Sequence, residues 1–311
     1  MEPAMSDHRY HVRTLNDGTM RRPERRSDNM GAVTVPDLLR RVLPTRTRVS
    51  GVLHAPFRRL DPSGWRVRRW QEPVAEPLVL IAIYRSRYAA GVLHVVEQAA
   101  AMDADIRLWA LDEEAPELAD HTLGAGRAPR TELMNELWAA RDCHPDATVV
   151  LWDDDIVFER SDLAGLLRAV RRSGFDLAQP THAPGAHRGW RVTYSRYLSI
   201  ARWVGWVEVG PVVVVRPSVR DQILPFPPDF GMGWGVELVW RDLAVAGGWR
   251  LGMVDAVGIH HLAVVGTDYD VVAERARVAG MLRQRGHDIA SIQEHRGTWR
   301  PWRRHPPWGE P

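Results

Sequence analysis

The chain of 311 residues has 45% hydrophobic side chains and a formal net charge of only +2. That length is enough for one large domain with extensions or for two small domains, and the near-neutral charge argues against a protein whose whole surface binds nucleic acid. Cys143 is the single cysteine, which excludes an intrachain disulfide and a cysteine-based metal cluster.

No apolar run approaches the roughly 20 residues that a membrane span requires, and the N-terminus lacks the apolar middle of a signal peptide. We therefore expect a cytoplasmic location. The sequence contains no lysine, so all 41 residues of the Lys and Arg class are arginine. Phosphate contacts from these side chains would consequently use the planar guanidinium fork, which bonds two phosphate oxygens at once.

The composition divides the chain into three parts. Residues 1–75 carry fifteen Arg against eight Asp and Glu, and the stretch up to residue 30 is too polar to fold alone. Such a basic arm is typical of a solvated tail, although a nucleic acid or an anionic membrane surface also attracts it. Residues 76–266 form the main predicted domain. Residues 267–311 are a predicted helix and a tail rich in Arg, Trp and Pro, either packed against the body or disordered.

Apolar runs alternate with helical patterns in the main domain. The continuous run at 78–84 predicts a strand buried on both faces of a sheet, and a second strand is expected at 105–111, after a helix at 89–102. This β-α-β alternation predicts an α/β fold with a mostly parallel, Rossmann-like central sheet flanked by helices. Further elements are predicted at residues 131–141, 149–158, 162–173, 175–180, 207–215, 217–224, 236–246, 250–259 and 267–286.

Three consecutive carboxylates, Asp153, Asp154 and Asp155, follow the apolar residues 149–152. Their charges repel one another, and burying even one unpaired charge costs several kcal/mol. A divalent cation would offset that cost, and hard oxygen ligands suit Mg²⁺ or Mn²⁺. The cluster therefore predicts a metal site at a strand end, where open α/β sheets bind ligands. The alternative is a polar turn before the helix at 162–173.

Three other segments carry candidate functional residues. Residues 123–130 are a predicted glycine-containing loop before a helix, where backbone amides and two arginines would hold a diphosphate. Residues 230–235 contain three glycines, and are predicted to let a ligand approach the backbone closely. Glu237 follows as either a general base or an acid favoured by the helix dipole. His260 and His261 end a predicted strand and are candidates to complete the metal site.

The order of these segments resembles the GT-A fold of nucleotide-sugar glycosyltransferases. It runs from an apolar strand through a Gly/Arg loop to an aspartate cluster, a Gly-Trp-Gly-x-Glu segment at 233–237 and a late strand ending in histidine. The sequence is most similar to the family-2-like branch and to a related domain-of-unknown-function group that shares the Phe-Asp-Leu-Ala-Gln-Pro segment at 175–180. The resemblance covers residues 77–265, which would be the catalytic domain.

The resemblance implies a role for each matching residue. The family's Asp-x-Asp motif coordinates the cation that bridges the donor's diphosphate, and Asp153 and Asp155 hold its outer positions here, with His261 as a further ligand. Glu237 matches the acid that is often the catalytic base in inverting members. The residues implied to contact the donor nucleotide are Ala82, Tyr84, Arg85, Arg87, Arg127, Arg130, Asn135, Asp153 and Asp154.

The resemblance thus implies a metal-dependent glycosyltransferase of the hexosyltransferase class. It would move a sugar from a nucleoside diphosphate sugar to a hydroxyl acceptor, with Mn²⁺ or Mg²⁺ as cofactor. One alternative is a metal-dependent nucleotidyltransferase or phosphohydrolase, since carboxylate clusters at strand ends also serve those reactions. Another is a non-catalytic GT-A-like binding protein. The donor, the acceptor, the stereochemical outcome, the oligomeric state and the choice of metal ligands among residues 153–155 and 260–261 are left open.

Overall fold

The computed structural model describes residues 60–186, 190–263, 269–287 and 293–309. In this part of the chain a central sheet carries helices on both faces. The helices are α1 (Pro62–Arg68), α2 (Ala89–Ala100), α3 (Arg130–Ala139), α4 (Leu163–Ser173), α5 (Pro217–Ile223), α6 (Val236–Gly247) and α7 (Val271–Gln284). The strands are β1 (Leu78–Tyr84), β2 (Asp105–Ala110), β3 (Thr122–Ala125), β4 (Thr148–Asp153), β5 (Ile156–Phe158), β6 (Leu177–His182), β7 (Ala201–Val204), β8 (Val212–Val215), β9 (Leu251–His261) and β10 (His295–Trp299).

The strands of the sheet follow the order β10-β7-β9-β6-β8-β4-β1-β2-β3, and β5 pairs with β9 outside this path. Neighbours are parallel from β4 through β1 and β2 to β3, and also between β6 and β9. Strand β8 is antiparallel to both β4 and β6, so β1, β4, β6 and β9 all run in one direction. The predicted α/β fold with a sheet that is mostly parallel in its core is confirmed.

Strand β1 shows how the sheet separates two apolar cores. All seven of its residues are buried, and alternate side chains of a strand point to opposite faces. Leu80 and Ala82 pack in the cluster that includes residues of α2 and α4, whereas Val79 and Ile81 pack in the cluster that includes residues of α3 and α6. The continuous apolar run therefore reflects burial on both faces, as expected of a central parallel strand.

The residues on either side of helix α4 explain where the helix begins and where it ends. Asp162 precedes the helix, and its Oδ1 accepts a hydrogen bond from the backbone N–H of Gly165 at 2.6 Å. Gly174 follows the helix with a φ of 62°, a left-handed conformation that glycine adopts without the steric penalty of a Cβ.

Three local predictions were wrong. Residues 122–125 are not loop but strand β3, which Gly124 permits because a Cβ there would lie only 2.4 Å from the Trp109 ring. Strand β6 continues past Pro180, where a register shift against β9 accommodates the missing N–H. The strand predicted at 207–215 is confined to β8, since the backbone N–H of Glu208 donates to the Gln179 side chain rather than to a ladder.

The segments on both sides of the main predicted domain contribute to its core. Val67 of α1 and Trp70 are buried, and so is Trp299 of β10, which pairs with β7 at the edge of the sheet. The tail is therefore packed against the body at residues 293–309. The predicted disordered stretch up to residue 30 lies outside the described residues, and the limits 1–75, 76–266 and 267–311 stay predictions. None of the described helices is both long enough and apolar enough to span a bilayer.

A buried ion pair joins β7 to β9. Arg202 and Asp255 are both fully buried, and the guanidinium donates to the carboxylate through Nε at 2.8 Å and Nη2 at 3.0 Å. Ser199 Oγ donates to the same carboxylate at 2.6 Å. These contacts satisfy the carboxylate of Asp255, so this acid is part of the core of the sheet.

We expect replacement of Asp255 by Ala to lower the free energy of unfolding by about 3–5 kcal/mol, because it leaves the buried charge of Arg202 without a partner. Asp221→Ala is the control, since the Asp221 side chain is 74% exposed beside Arg220 and an exposed pair contributes at most about 1 kcal/mol. Chemical denaturation measures both values, and equal losses would contradict a structural role for the buried pair.

Candidate active site

The candidate residues gather at one edge of the sheet. Because β1, β4, β6 and β9 run in the same direction, their carboxyl ends, at Tyr84, Asp153, His182 and His261, lie along a common edge. Helix α3 brings its first residue, Arg130, to the same place through an ion pair with Asp153. This edge is the usual ligand-binding position of an open α/β sheet.

The pairing of β5 with β9 brings Asp155 to His261. Ile156 is opposite His261 in that ladder, and the backbone N–H of Leu262 donates to the carbonyl of Asp155 at 2.7 Å. His261 Nε2 consequently lies 3.1 Å from Asp155 Oδ1, with both side chains largely buried.

The Asp155–His261 pair stabilises its own charged form. Burial opposes ionisation of both groups, but for His261 the hydrogen bond to Asp155 and its negative charge outweigh burial and raise the pKa of the imidazole. The same contact, together with the charge of Arg85, lowers the pKa of the Asp155 carboxyl in spite of its burial.

Asp153 and Arg130 form a second pair. Arg130 donates from Nε to Asp153 Oδ1 at 2.9 Å, and its Nη2 lies 2.8 Å from the same oxygen. The guanidinium is 5% exposed, and its Nη1 has no hydrogen-bond partner among the described residues. The arginine that the sequence predicts to bind phosphate is thus already aimed at an aspartate predicted to bind metal.

Asp154 is the third aspartate of the cluster, and it pairs with Arg85. Its Oδ2 accepts from the backbone N–H and the Nε of Arg85, both at 2.8 Å, and its Oδ1 accepts from Nη2 at 2.6 Å. Burial raises the pKa of Asp154 despite these bonds. Both carboxylate oxygens are engaged in joining the end of β4 to the exit of β1, and the guanidinium of Arg85 also lies 4.8 Å from the ring centre of Tyr88.

Glu237 lies in the first turn of α6 and is 5% exposed. Its Oε2 accepts a hydrogen bond from the backbone N–H of Gly235 at 2.8 Å, so the side chain caps its own helix. Burial raises its pKa to about 8, and the charge of Glu208 adds to the shift. A carboxyl group with such a pKa exchanges its proton near neutral pH, which a general base must do.

The glycine loop before α6 has a fixed conformation. Gly231, Gly233 and Gly235 all have positive φ, at 56°, 98° and 95°. The carbonyl of Gly231 accepts from both the backbone N–H and the Oγ1 of Thr131, at 3.0 and 3.1 Å. The loop is thereby tied to the start of α3, which places Glu237 and Arg130 at one site.

Five predicted nucleotide contacts lie elsewhere or have other partners. Ala82 and Tyr84 are fully buried in the core, and the amide of Asn135 bonds both the carbonyl and the N–H of Phe226, at 3.0 and 2.6 Å. Arg87 lies 5.0 Å from the ring centre of Tyr88, and Arg127 is exposed. For all five, contact with a nucleotide stays a prediction.

Sequence reasoning missed a polar pair at the same edge. His182 Nε2 lies 3.0 Å from Glu208 Oε2, and Gln179 Nε2 donates to the same oxygen at 3.3 Å. His182 is the last residue of β6, so the rule that ligands bind at carboxyl ends of parallel strands would have selected it. Glu208 lies in an irregular segment with no such signal.

The predicted metal ligands are only partly arranged to bind a divalent cation. Asp155 and His261 converge and offer an oxygen and an imidazole nitrogen, which suit Mn²⁺. Asp153 is adjacent in the chain, but it is turned toward Arg130. No three His, Cys, Asp or Glu side chains in the described ranges already surround a point at metal-binding distance. Both contacts of Arg130 are with Oδ1 of Asp153, so neither of them engages Oδ2.

Comparison with known proteins identifies the fold. The structure aligns with GalNAc-T7, crystallised with UDP, GalNAc and Mn²⁺, at a TM-score of 0.50 and 9% sequence identity, over 67% of this chain and 48% of that one. Two structures of S. aureus TarS align at TM-scores of 0.43 and 0.41, with 8% and 9% identity, over 70% of this chain in both cases and over 41% and 68% of theirs.

No protein-family model matches the chain, and no curated protein sequence matches it. The chain spans about half the length of GalNAc-T7. At such low identity the alignment with GalNAc-T7 establishes the fold alone, and the predicted GT-A fold is confirmed. The closer kinship to a family-2-like branch or to a domain-of-unknown-function group stays a prediction.

The titration of Glu237 predicts a pH-dependent stability. Its pKa rises from 4.5 to about 8 on folding, so the folded protein holds a proton that the unfolded chain releases between these values. The free energy of unfolding therefore falls as pH rises from 4.5 to 8, by up to about 1.4 kcal/mol per pH unit. We expect Glu237→Gln to remove this decrease in denaturation experiments at a series of pH values.

Glu117→Gln is the control, because Glu117 is exposed on a surface turn, and its substitution should leave the pH profile of stability unchanged. Parallel profiles for wild type and Glu237→Gln would contradict the raised pKa.

Proposed function

We propose that the protein is a metal-dependent glycosyltransferase that moves a sugar from a nucleoside diphosphate sugar to a hydroxyl acceptor. The observation that carries this proposal is the convergence of Asp153, Asp155, His261 and Arg130 at the carboxyl edge of the sheet, within a GT-A fold. The glycine loop before Glu237 is tied to the same edge through Thr131. The GalNAc-T7 structure with the same fold contains UDP, GalNAc and Mn²⁺, which supports a donor of this class.

Asp155 and His261 would hold the cation, with Asp153 as the third ligand. A bound cation would supply positive charge next to the diphosphate that departs from the sugar. His261 would bind as the neutral imidazole, so any proton on the ring would be released as the cation binds.

Arg130 would pass from Asp153 to the donor. Its guanidinium is buried and already oriented, and Nη1 has no partner among the described residues, so a phosphate oxygen would satisfy a donor that is otherwise unpaired. The same movement would also free Oδ1 of Asp153, the oxygen that Arg130 contacts. Arg127 is exposed and lies three residues before Arg130 in the sequence. From this position it would contact the outer phosphate of the donor.

Glu237 would take the proton of the acceptor hydroxyl. Its pKa of about 8 gives a group that is protonated at rest and a stronger base than an exposed carboxylate once ionised. Glu208 lies close enough to raise that pKa, and its hydrogen bonds to His182 and Gln179 hold it at the same edge. The Glu208–His182 pair is therefore placed to bind acceptor hydroxyl groups.

Asp155→Asn tests the assignment of the cation ligands. We expect it to reduce the release of nucleoside diphosphate from the preferred nucleotide sugar, in the presence of Mn²⁺, by more than roughly 100-fold, since loss even of a residue that only orients a ligand costs 10–100-fold. A chromatographic assay of nucleoside diphosphate over a panel of nucleotide sugars provides the measurement.

Asp146→Asn is the matched control, because Asp146 is an exposed aspartate just before the same strand. It should retain full turnover. Full turnover by Asp155→Asn would remove this residue as a ligand, and turnover only with nucleoside triphosphates would favour a nucleotidyltransferase.

A further inference from the structure

A cavity of about 660 Å³ lies between α1, the segment leading into β1, the second half of α4 and the segment after β10. Its volume is in the range of small-ligand sites. The lining is strongly basic and includes only two acids, Glu72 and Glu76. The basic side chains that line it are Arg66, Arg168, Arg171, Arg172, Arg304 and His305.

The cavity is separate from the candidate active site. Thr148 Oγ1 donates to Glu76 of the cavity wall at 2.8 Å, and Thr148 is the first residue of β4, whereas Asp153 is the last. Five residue steps along a strand correspond to about 16 Å. No residue placed in the candidate active site lines the cavity.

Three arginines of α4 are anchored by one end of the guanidinium and keep the other end available. Arg168 Nε donates to the carbonyl of Glu72 at 2.7 Å, and Arg171 Nε lies 3.5 Å from Glu76 Oε1. Arg172 Nε donates to the carboxylate of Glu72. Within the described part of the chain, the terminal Nη groups of these three side chains make no hydrogen bond.

Stacked indoles lie against Arg172 and against one further arginine, Arg66. The rings of Trp70 and Trp299 are stacked at 5.7 Å, the guanidinium of Arg172 lies 4.5 Å from the Trp70 ring centre, and that of Arg66 lies 5.8 Å from the Trp299 ring centre. Arg66 also donates to the carbonyls of Pro301 and Arg304. These contacts fix the positive groups before any ligand arrives, which reduces the entropy lost on binding.

The positive groups repel one another in the free protein. Burial lowers the pKa of Arg66, and the charge of Arg172 lowers it further. A multiply charged anion would relieve that repulsion. Guanidinium groups bind phosphate through paired, charge-assisted hydrogen bonds, and a phosphate group presents enough oxygens for several arginines at once.

We propose that this cavity binds a ligand through a phosphate group, carried either by a small phosphomonoester or by an anionic lipid headgroup. The cavity supplies both the volume and the donors for either source. Trp65 and Trp302 are 48% and 66% exposed. Trp65 immediately precedes the cavity residue Arg66, Trp302 lies two residues before the cavity residue Arg304, and tryptophan is a side chain suited to a membrane interface. The experiment therefore tests both sources.

The first arm measures the melting temperature of the full chain with inorganic phosphate or with chloride at equal ionic strength. We expect phosphate to stabilise the wild type more than chloride does. The double variant Arg171→Gln with Arg304→Gln should weaken the apparent phosphate affinity by roughly tenfold or more, because charge-assisted hydrogen bonds are lost. Both side chains are exposed at the cavity wall, so the fold should survive.

Two control variants identify which site on the protein binds the phosphate. The double variant Arg275→Gln with Arg283→Gln removes two exposed arginines of α7 and should respond to phosphate as the wild type does. Arg130→Gln removes the phosphate-binding candidate of the active site. A response that is lost in Arg130→Gln but kept in the cavity double variant would overturn the proposal, and so would equal effects of phosphate and chloride on the wild type.

The second arm identifies the source of the phosphate by sedimentation with vesicles of phosphatidylcholine, with or without phosphatidic acid. Sedimentation of the wild type, but not of the cavity double variant, with phosphatidic acid vesicles identifies a lipid headgroup. Phosphate stabilisation without vesicle binding identifies a small phosphomonoester. Absence of both responses would overturn the proposal, whatever the outcome of the glycosyltransferase assays.

Discussion

The structure depends on how three adjacent carboxylates are neutralised at one edge of a sheet. Asp153 pairs with Arg130, Asp154 with Arg85 and Asp155 with His261. The three partners come from three different elements: the start of α3, the exit of β1 and the end of β9. Charge neutralisation therefore draws these elements to the end of β4, since an uncompensated buried carboxylate would destabilise the fold.

The three ion pairs differ in whether a ligand could replace one of the two partners. Asp154 has both oxygens engaged by Arg85, including a bond from its backbone, so this pair is a fixed part of the architecture. Asp153 keeps 23% of its side chain exposed, and Arg130 keeps one nitrogen unpartnered within the described residues. The contact with Asp155 raises the pKa of His261, and binding of a metal would require the neutral imidazole. The two outer pairs are thus where a cation and a diphosphate would enter.

The same edge explains the raised pKa of Glu237. The glycine loop that precedes it is tied to α3 through Thr131, and the acid itself is buried. Burial and the nearby charge of Glu208 favour its protonated form. The contact with Gly235 that caps α6 does not exclude a role in proton transfer, because the helix cap uses only one of its two oxygens.

Much of the fold and part of the site were predictable from sequence. The apolar run of β1, the cap of α4 and the position of Asp153 at a strand end each rest on local pattern, and each is confirmed. Strand β3 was not predictable, because Gly124 and Ala125, which are half of its four residues, carry no strand signal. The Asp155–His261 contact and the Arg202–Asp255 pair depend on strand pairings between distant segments, which no local pattern encodes. The partners of Asp154 and Asn135 were missed for the same reason.

The proposed function requires that this edge of the sheet bind a nucleoside diphosphate together with a divalent cation. Thermal denaturation of the wild type with a panel of nucleoside diphosphates and their sugars, with and without Mn²⁺, tests it most directly. We predict that at least one nucleoside diphosphate raises the melting temperature only when Mn²⁺ is present, since anion and cation would complete the site together. Stabilisation that is independent of Mn²⁺, or that occurs only with nucleoside triphosphates, would contradict the claim.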